Sequence, residues 1–71
     1  MILEYLEQAE RYVSQAEKQV GAQRALVQRL EREGHDSSIA RLLLDEFEHS
    51  LVLHRADRAR LRATLEAGQA A

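Results

Sequence analysis

Glu46 and His49 form a Glu-x-x-His pair, one turn apart on any helix that contains them. Two such pairs with two further glutamates build the di-metal sites of some four-helix bundles, so the pair raises the question of a metal. The helical phase answers against it. Both side chains fall on the outer side of the second apolar helix, and the matching level of the first helix offers Gln23 rather than a glutamate. No metal site and no cofactor are expected.

His54 and Arg58 are the stronger anomaly. They stand one turn apart at positions where the apolar pattern calls for leucine, and with Gln23 they form polar core candidates between two apolar ends. Polar groups in a helical seam cost stability yet select one alignment and one oligomeric state. The same three residues also suit an anion or small-ligand pocket. The Arg58 stem is expected along Tyr12, with its charge outward. The stretch carrying Arg55, Arg58, Arg60 and Arg62 is locally basic. Asp57 interrupts it, and no aromatic platform accompanies it, so nucleic acid is not an expected partner. His35 lies alone in a turn. No Ser-His-Asp or Cys-His set and no phosphate-cradling glycine loop is present, and no enzyme is expected.

The elements that must position these groups follow from apolar spacing. Ile2, Leu6, Ala9, Val13, Ala16, Val20, Gln23, Val27 and Leu30 recur at alternating steps of four and three. That is a heptad seam with one polar member. Ala40, Leu44, Phe47, Leu51, His54, Arg58, Leu61 and Leu65 repeat the pattern. Between the seams, Gly34 suits the left-handed position just past a helix end. Asp36 is the first choice for the next N-cap, with Ser37 second. The expected fold is all-α, a single domain over residues 1–71: helix about 2–33, turn 34–36, helix about 37–67. A turn this short makes antiparallel neighbours, a coiled-coil-like hairpin. Gly21 reads as a tolerated weak point or a close helix contact, and Gly68 as the start of a frayed end.

With the turn centred near residue 37, the seams pair Leu30 with Leu44, Val27 with Phe47, Gln23 with Leu51 and Val20 with His54. They continue with Ala16 and Arg58, Val13 and Leu61, and Ala9 and Leu65. Along one flank, Glu31 faces Arg41, Arg24 faces Glu48, Glu17 faces Arg55 and Glu10 faces Arg62, all opposite in sign. The other flank is nearly uncharged. It carries Tyr5, Tyr12, Gln19 and Leu26, then Ile39, Leu43, Ser50, Leu53, Asp57 and Thr64. Two helices cannot cover it, and contiguous exposed apolar surface marks interfaces. Tyr5, Tyr12, Leu26, Ile39, Leu43 and Leu53 are the dimer interface candidates. Two hairpins are expected to dock there as a homodimeric four-helix bundle. Leu42 and Val52 lie outside both stripes.

Bulk properties agree. The chain has 71 residues, no cysteine, no proline and a net charge of -2. A chain of this size leans on disulfides, metals or oligomerisation for stability, and disulfides are excluded. The lack of cysteine suits a cytoplasmic setting. No apolar run approaches a membrane span, and residues 1–4 lack the basic start of a signal peptide.

The stretch from Gln23 to Ser37, with Gln23-Arg24-Ala25-Leu26 opening it and Gly34-His35-Asp36-Ser37 closing it, resembles a group of short uncharacterised proteobacterial proteins. The likeness continues through Ala40, Leu43, Leu44, Phe47, Leu51, His54, Arg58 and Leu61 and covers roughly residues 10–65. The resemblance implies a small bacterial helical hairpin and no catalytic role. Members often have an acidic residue where this chain has Ile39, which there completes a capping box. The functional expectation is a non-enzymatic, self-associating protein that mediates protein–protein interaction. The alternative is a ligand- or metal-binding bundle.

Overall fold

A computed structural model describes residues 1–70. Two α-helices, α1 (Ile2–Arg32) and α2 (Ser38–Ala70), lie antiparallel in a rod 58 × 14 × 14 Å. The helices form where good helix formers carry the two heptad seams, and no proline interrupts them. Every seam residue named above is buried or half-buried. The centre of the core is Val13, Ala16, Val20 and Leu51, with Leu44 and Phe47 packed against it; Val13 is the most enclosed at 1% exposure.

α1 ends in a Schellman motif. Gly34 takes φ 75°, its N–H donates to the Glu31 carbonyl at 3.2 Å, and the His35 N–H donates to the Leu30 carbonyl at 2.8 Å. α2 then begins at Ser38, one residue later than expected. Ser37 is the N-cap, since its carbonyl accepts the first helical bond from the Arg41 N–H at 2.8 Å. Asp36 stands one place further out. Its Oδ1 accepts from the Ser38 N–H at 2.9 Å and the Ser38 hydroxyl at 2.6 Å, an Asx turn that leads the chain into the helix. At the other end α2 continues through Gly68 to Ala70, beyond the expected limit at 67; Ala71 lies outside the described residues.

The seams pair one heptad away from the expected layers. The Gln23 amide donates to the Ala40 carbonyl at 3.0 Å. Were Gln23 level with Leu51, Ala40 would lie eleven residues further along, roughly 16 Å at 1.5 Å per residue, out of reach. With Gln23 bonded to Ala40 and His54 against Tyr12, the heptads align so that Gln23 stands level with Leu44, Val20 with Phe47, Ala16 with Leu51 and Val13 with His54, and Val13, Ala16, Val20, Leu44, Phe47 and Leu51 gather in one core. Ala40, close to the turn, and Leu6, close to the open end, are both buried, as this alignment requires by setting them level with Val27 and Leu61. The cause is the turn. After Gly34 reverses the chain, residues 35–37 run back along α1, so α2 starts beside the last turns of α1 and not beyond them.

Gly21 makes no close helix contact. A Cβ there meets nothing within 4 Å, and its backbone is ordinary helix. Gly21→Ala is therefore expected to stabilise the hairpin by about 1 kcal/mol. Gly34→Ala is equally free of clashes but must hold a positive φ, and should destabilise it by about 1 kcal/mol. Opposite shifts of the urea midpoint check the pair.

The bonds from the Ser38 hydroxyl, and then from its N–H, hold the Asp36 carboxyl below its ordinary value. A depressed folded-state pKa gives stability that is fully present above the unfolded value and fades as pH falls through the folded one. Wild type should lose stability below about pH 4 more steeply than Asp36→Asn, and the two curves should run parallel above about pH 5. Urea titrations from pH 7 to pH 2 test this; a pH-independent offset between the two proteins would refute it.

Candidate functional site, the neutral edge of the hairpin

The two flanks of the rod differ sharply in charge. On one, four ion pairs cross between the helices: Glu31–Arg41 at 2.5 Å, Arg24–Glu48 at 3.0 Å, Glu10–Arg62 at 3.2 Å and Glu17–Arg55 at 4.0 Å. These are the four pairs expected from the sequence. They survive the change of layers because helical side chains lean toward their own N-terminus. In an antiparallel pair those leanings converge. Arg24 and Glu48, about five residues out of level (roughly 7 Å at 1.5 Å per residue), reach each other. All eight groups are about half exposed, so each pair contributes about 0–1 kcal/mol and mainly specifies orientation.

The opposite flank is apolar and open. Ile39 is 74% exposed, Tyr5 56%, Leu53 54%, Tyr12 43% and Leu43 40%, while Leu26 is half-buried. Leu42 and Val52 are exposed outside this stripe. The whole chain exposes 5389 Å². A compact monomer of 8.1 kDa exposes about 4,500 Å² by the usual scaling. The excess, roughly 900 Å², is close to one partner's share of a standard interface.

At the open end the edge contains a shallow groove of about 350 Å³, lined by Tyr5, Gln8, Ala9, Tyr12, Asp57, Arg60, Leu61 and Thr64. The Gln8 amide donates to the Tyr12 hydroxyl at 2.7 Å, Arg60 pairs with Asp57, and the Thr64 hydroxyl donates to the Arg60 carbonyl at 2.9 Å. Gln8 was not singled out from the sequence, and Arg60 was read there only as part of a basic stretch, not as a partner of Asp57. Their spacings, four residues before Tyr12 and three after Asp57, were the available signal.

The polar seam residues are brought to one side but not into one cluster. Gln23, His54 and Arg58 are each half-buried, and no polar residue among those described is fully buried. Gln23 is committed to the Ala40 carbonyl near the turn. The His54 side chain lies against Tyr12, with ring centroids 5.5 Å apart and planes at 36°. Arg58 has no ion-pair partner among the described residues. Glu46 and His49 are exposed on the outer side of α2. Among the described residues no three metal-ligating side chains gather. His35 is exposed and sits 3.6 Å from the Glu33 carboxylate.

These features define a two-helix hairpin with one charged flank closed by ion pairs and one apolar flank left open. Comparison with protein-family models, curated proteins and solved structures gives no match. No helix among the described residues is long and apolar enough to cross a membrane.

The alignment of the seams is open to a direct check, since the chain has no cysteine of its own. Ala16→Cys with Leu51→Cys should oxidise readily to an intramolecular disulfide, because that pair faces across the seam. Gln23→Cys with Leu51→Cys should remain reduced under the same conditions. The reverse result would restore the original layers.

Proposed function

We propose that this chain is a self-associating, non-enzymatic helical hairpin whose working form is a homodimeric four-helix bundle serving protein–protein interaction. The observation that carries this reading is the apolar edge of Tyr5, Tyr12, Leu26, Ile39, Leu43 and Leu53, opposite a flank whose charges are paired within the chain. A hairpin has one seam, and burial of apolar area is the dominant force available to it. Docking the open edges of two copies turns a thin two-helix core into a four-helix core. The charged flanks then lie outside, where they keep the bundle soluble and available to further partners.

A second reading is a small-ligand site. It rests on the groove between Tyr5, Tyr12, Asp57, Arg60 and Leu61, with His54 beside it. The groove's position on the apolar edge favours its being covered by the second copy. A metal finds less support, because Glu46 and His49 are exposed and Gln23 is engaged with Ala40.

Light scattering at micromolar concentration should give twice the 8.1 kDa chain mass, and the melting temperature should rise with concentration. Leu43→Glu or Leu53→Glu should weaken dimerisation roughly 30-fold or more, as loss of a central interface anchor does. Val52→Glu, on the far side of α2, should leave the mass unchanged. A well-folded wild-type monomer under these conditions overturns the reading.

A further inference from the structure

We infer that the second copy docks antiparallel about a two-fold axis crossing near Leu53, so that Glu46 of each copy pairs with Arg58 of the other. This rests on the dimer reading above and adds its geometry. The observation is a charge balance confined to one side of the molecule. Arg60 on the open edge is neutralised by Asp57 three residues away. Glu4, Glu7, Arg11, Lys18, Arg32, Asp45 and Glu66, on the outer faces of the helices, join no ion pair, but on the open edge and the seam behind it two charges are left over: Glu46, exposed beside the apolar stripe, and Arg58, half-buried. They are opposite in sign and twelve residues apart on α2, about 18 Å along the axis.

Two closed arrangements can cover this edge. With the axis along the rod, each α1 packs on the other copy's α2 and both turns lie at one end. Glu46 then comes level with Gln19 and Gly21, and Arg58 comes level with Ala9 and Gln8, none of them charged. With the axis perpendicular to the rod, α2 packs on α2 and the turns lie at opposite ends. Because a two-fold interface is self-complementary, one contact implies its mirror contact. Setting Glu46 against the second copy's Arg58 therefore sets Arg58 against the second copy's Glu46. The same operation brings Leu43 against the second copy's Leu61 and places the two Leu53 side chains together at the axis. On α1 it sets Leu26 against the second copy's Tyr5. Leu26, Tyr5, Leu43 and Leu53 are thus covered by apolar residues, Tyr12 comes level with the second copy's Gln19, and both unpaired charges are matched. A half-buried guanidinium paired with a carboxylate across an interface selects orientation as well as partner.

The test uses the full chain. Glu46→Arg alone and Arg58→Glu alone should each weaken the dimer at least tenfold, measured by sedimentation equilibrium. The double variant Glu46→Arg/Arg58→Glu should return to within about threefold of wild type. Failure of the double variant to recover overturns the pairing. Because Arg58→Glu burdens the hairpin itself, a second measurement stands apart from it. A spin label on His35→Cys, the sole cysteine of that variant, should report a distance on the order of 50 Å between the two turns. A distance under about 25 Å puts both turns at one end and overturns the antiparallel arrangement. A wild-type monomer would defeat the dimer reading first, whereas a dimer with neighbouring turns defeats this inference alone.

Discussion

Two helices in contact bury one stripe each, and everything else about this chain is set by that limit. α1 and α2 are both about 45–50 Å long at 1.5 Å per residue, yet each hides one row of side chains from water. The row is thin. Several of its members are alanine, and Val13 alone approaches full enclosure. Burial at roughly 25 cal/mol per Å² must offset the ordering of some seventy residues, and a core of this width does so poorly. The flanks therefore decide whether the fold persists. One flank is occupied by four crossing ion pairs that add direction more than stability. The other is apolar, and its residues gain free energy when covered.

The heptad seams, the turn and the flanking charge pairs were all legible in the sequence, for local reasons. A seam is a repeat of residue types, Gly34 is the residue that accepts a positive φ, and opposite charges attract wherever long side chains reach. The alignment of the seams was not legible. A heptad pattern slid by seven residues maps onto itself, so Ala16 can face Arg58 or Leu51 without any change in apolar phase. Charge pairing does not break the tie, since the lean of arginine and glutamate side chains absorbs several residues of axial offset. What breaks it is the path of residues 35–37, which the Schellman reversal sends back along α1. The Asx turn at Asp36 then launches α2 early. A turn drawn as a symmetric bend misses that step by one heptad.

In the observed layers large side chains stand beside small ones. Leu51 stands level with Ala16 and Phe47 with Val20, all four within the central core. Large side chains against small ones fill a narrow seam without strain. The alignment also sets Leu6 and Ile2 level with Leu61 and Leu65 at the open end of the rod, where all four are buried or half-buried. The Gln23 bond to Ala40 belongs to the same logic. A single amide in an apolar row has few places to go, and a slide by one heptad would strand it. Its contribution is to penalise the wrong alignment, which apolar contacts alone do weakly.

The polar residues along the seam then divide by what remains for them to bond. Gln23 is satisfied inside the chain, and His54 is held against Tyr12. Arg58 is satisfied by neither, though it sits level with an alanine that leaves room for its stem. An arginine in a seam is costly when its charge has only low-dielectric neighbours, and the cost falls when the head reaches a carboxylate at the rim. Within one copy Asp57, next to Arg58 in the chain, pairs with Arg60, and Glu10 pairs with Arg62. The carboxylate on the open side that joins no ion pair is Glu46, too far along α2 for its own Arg58 and, in the proposed dimer, opposite the second copy's. In the proposed dimer Arg58, unpaired within the hairpin, gains a carboxylate from the second copy, which would tie the stability of the fold to association.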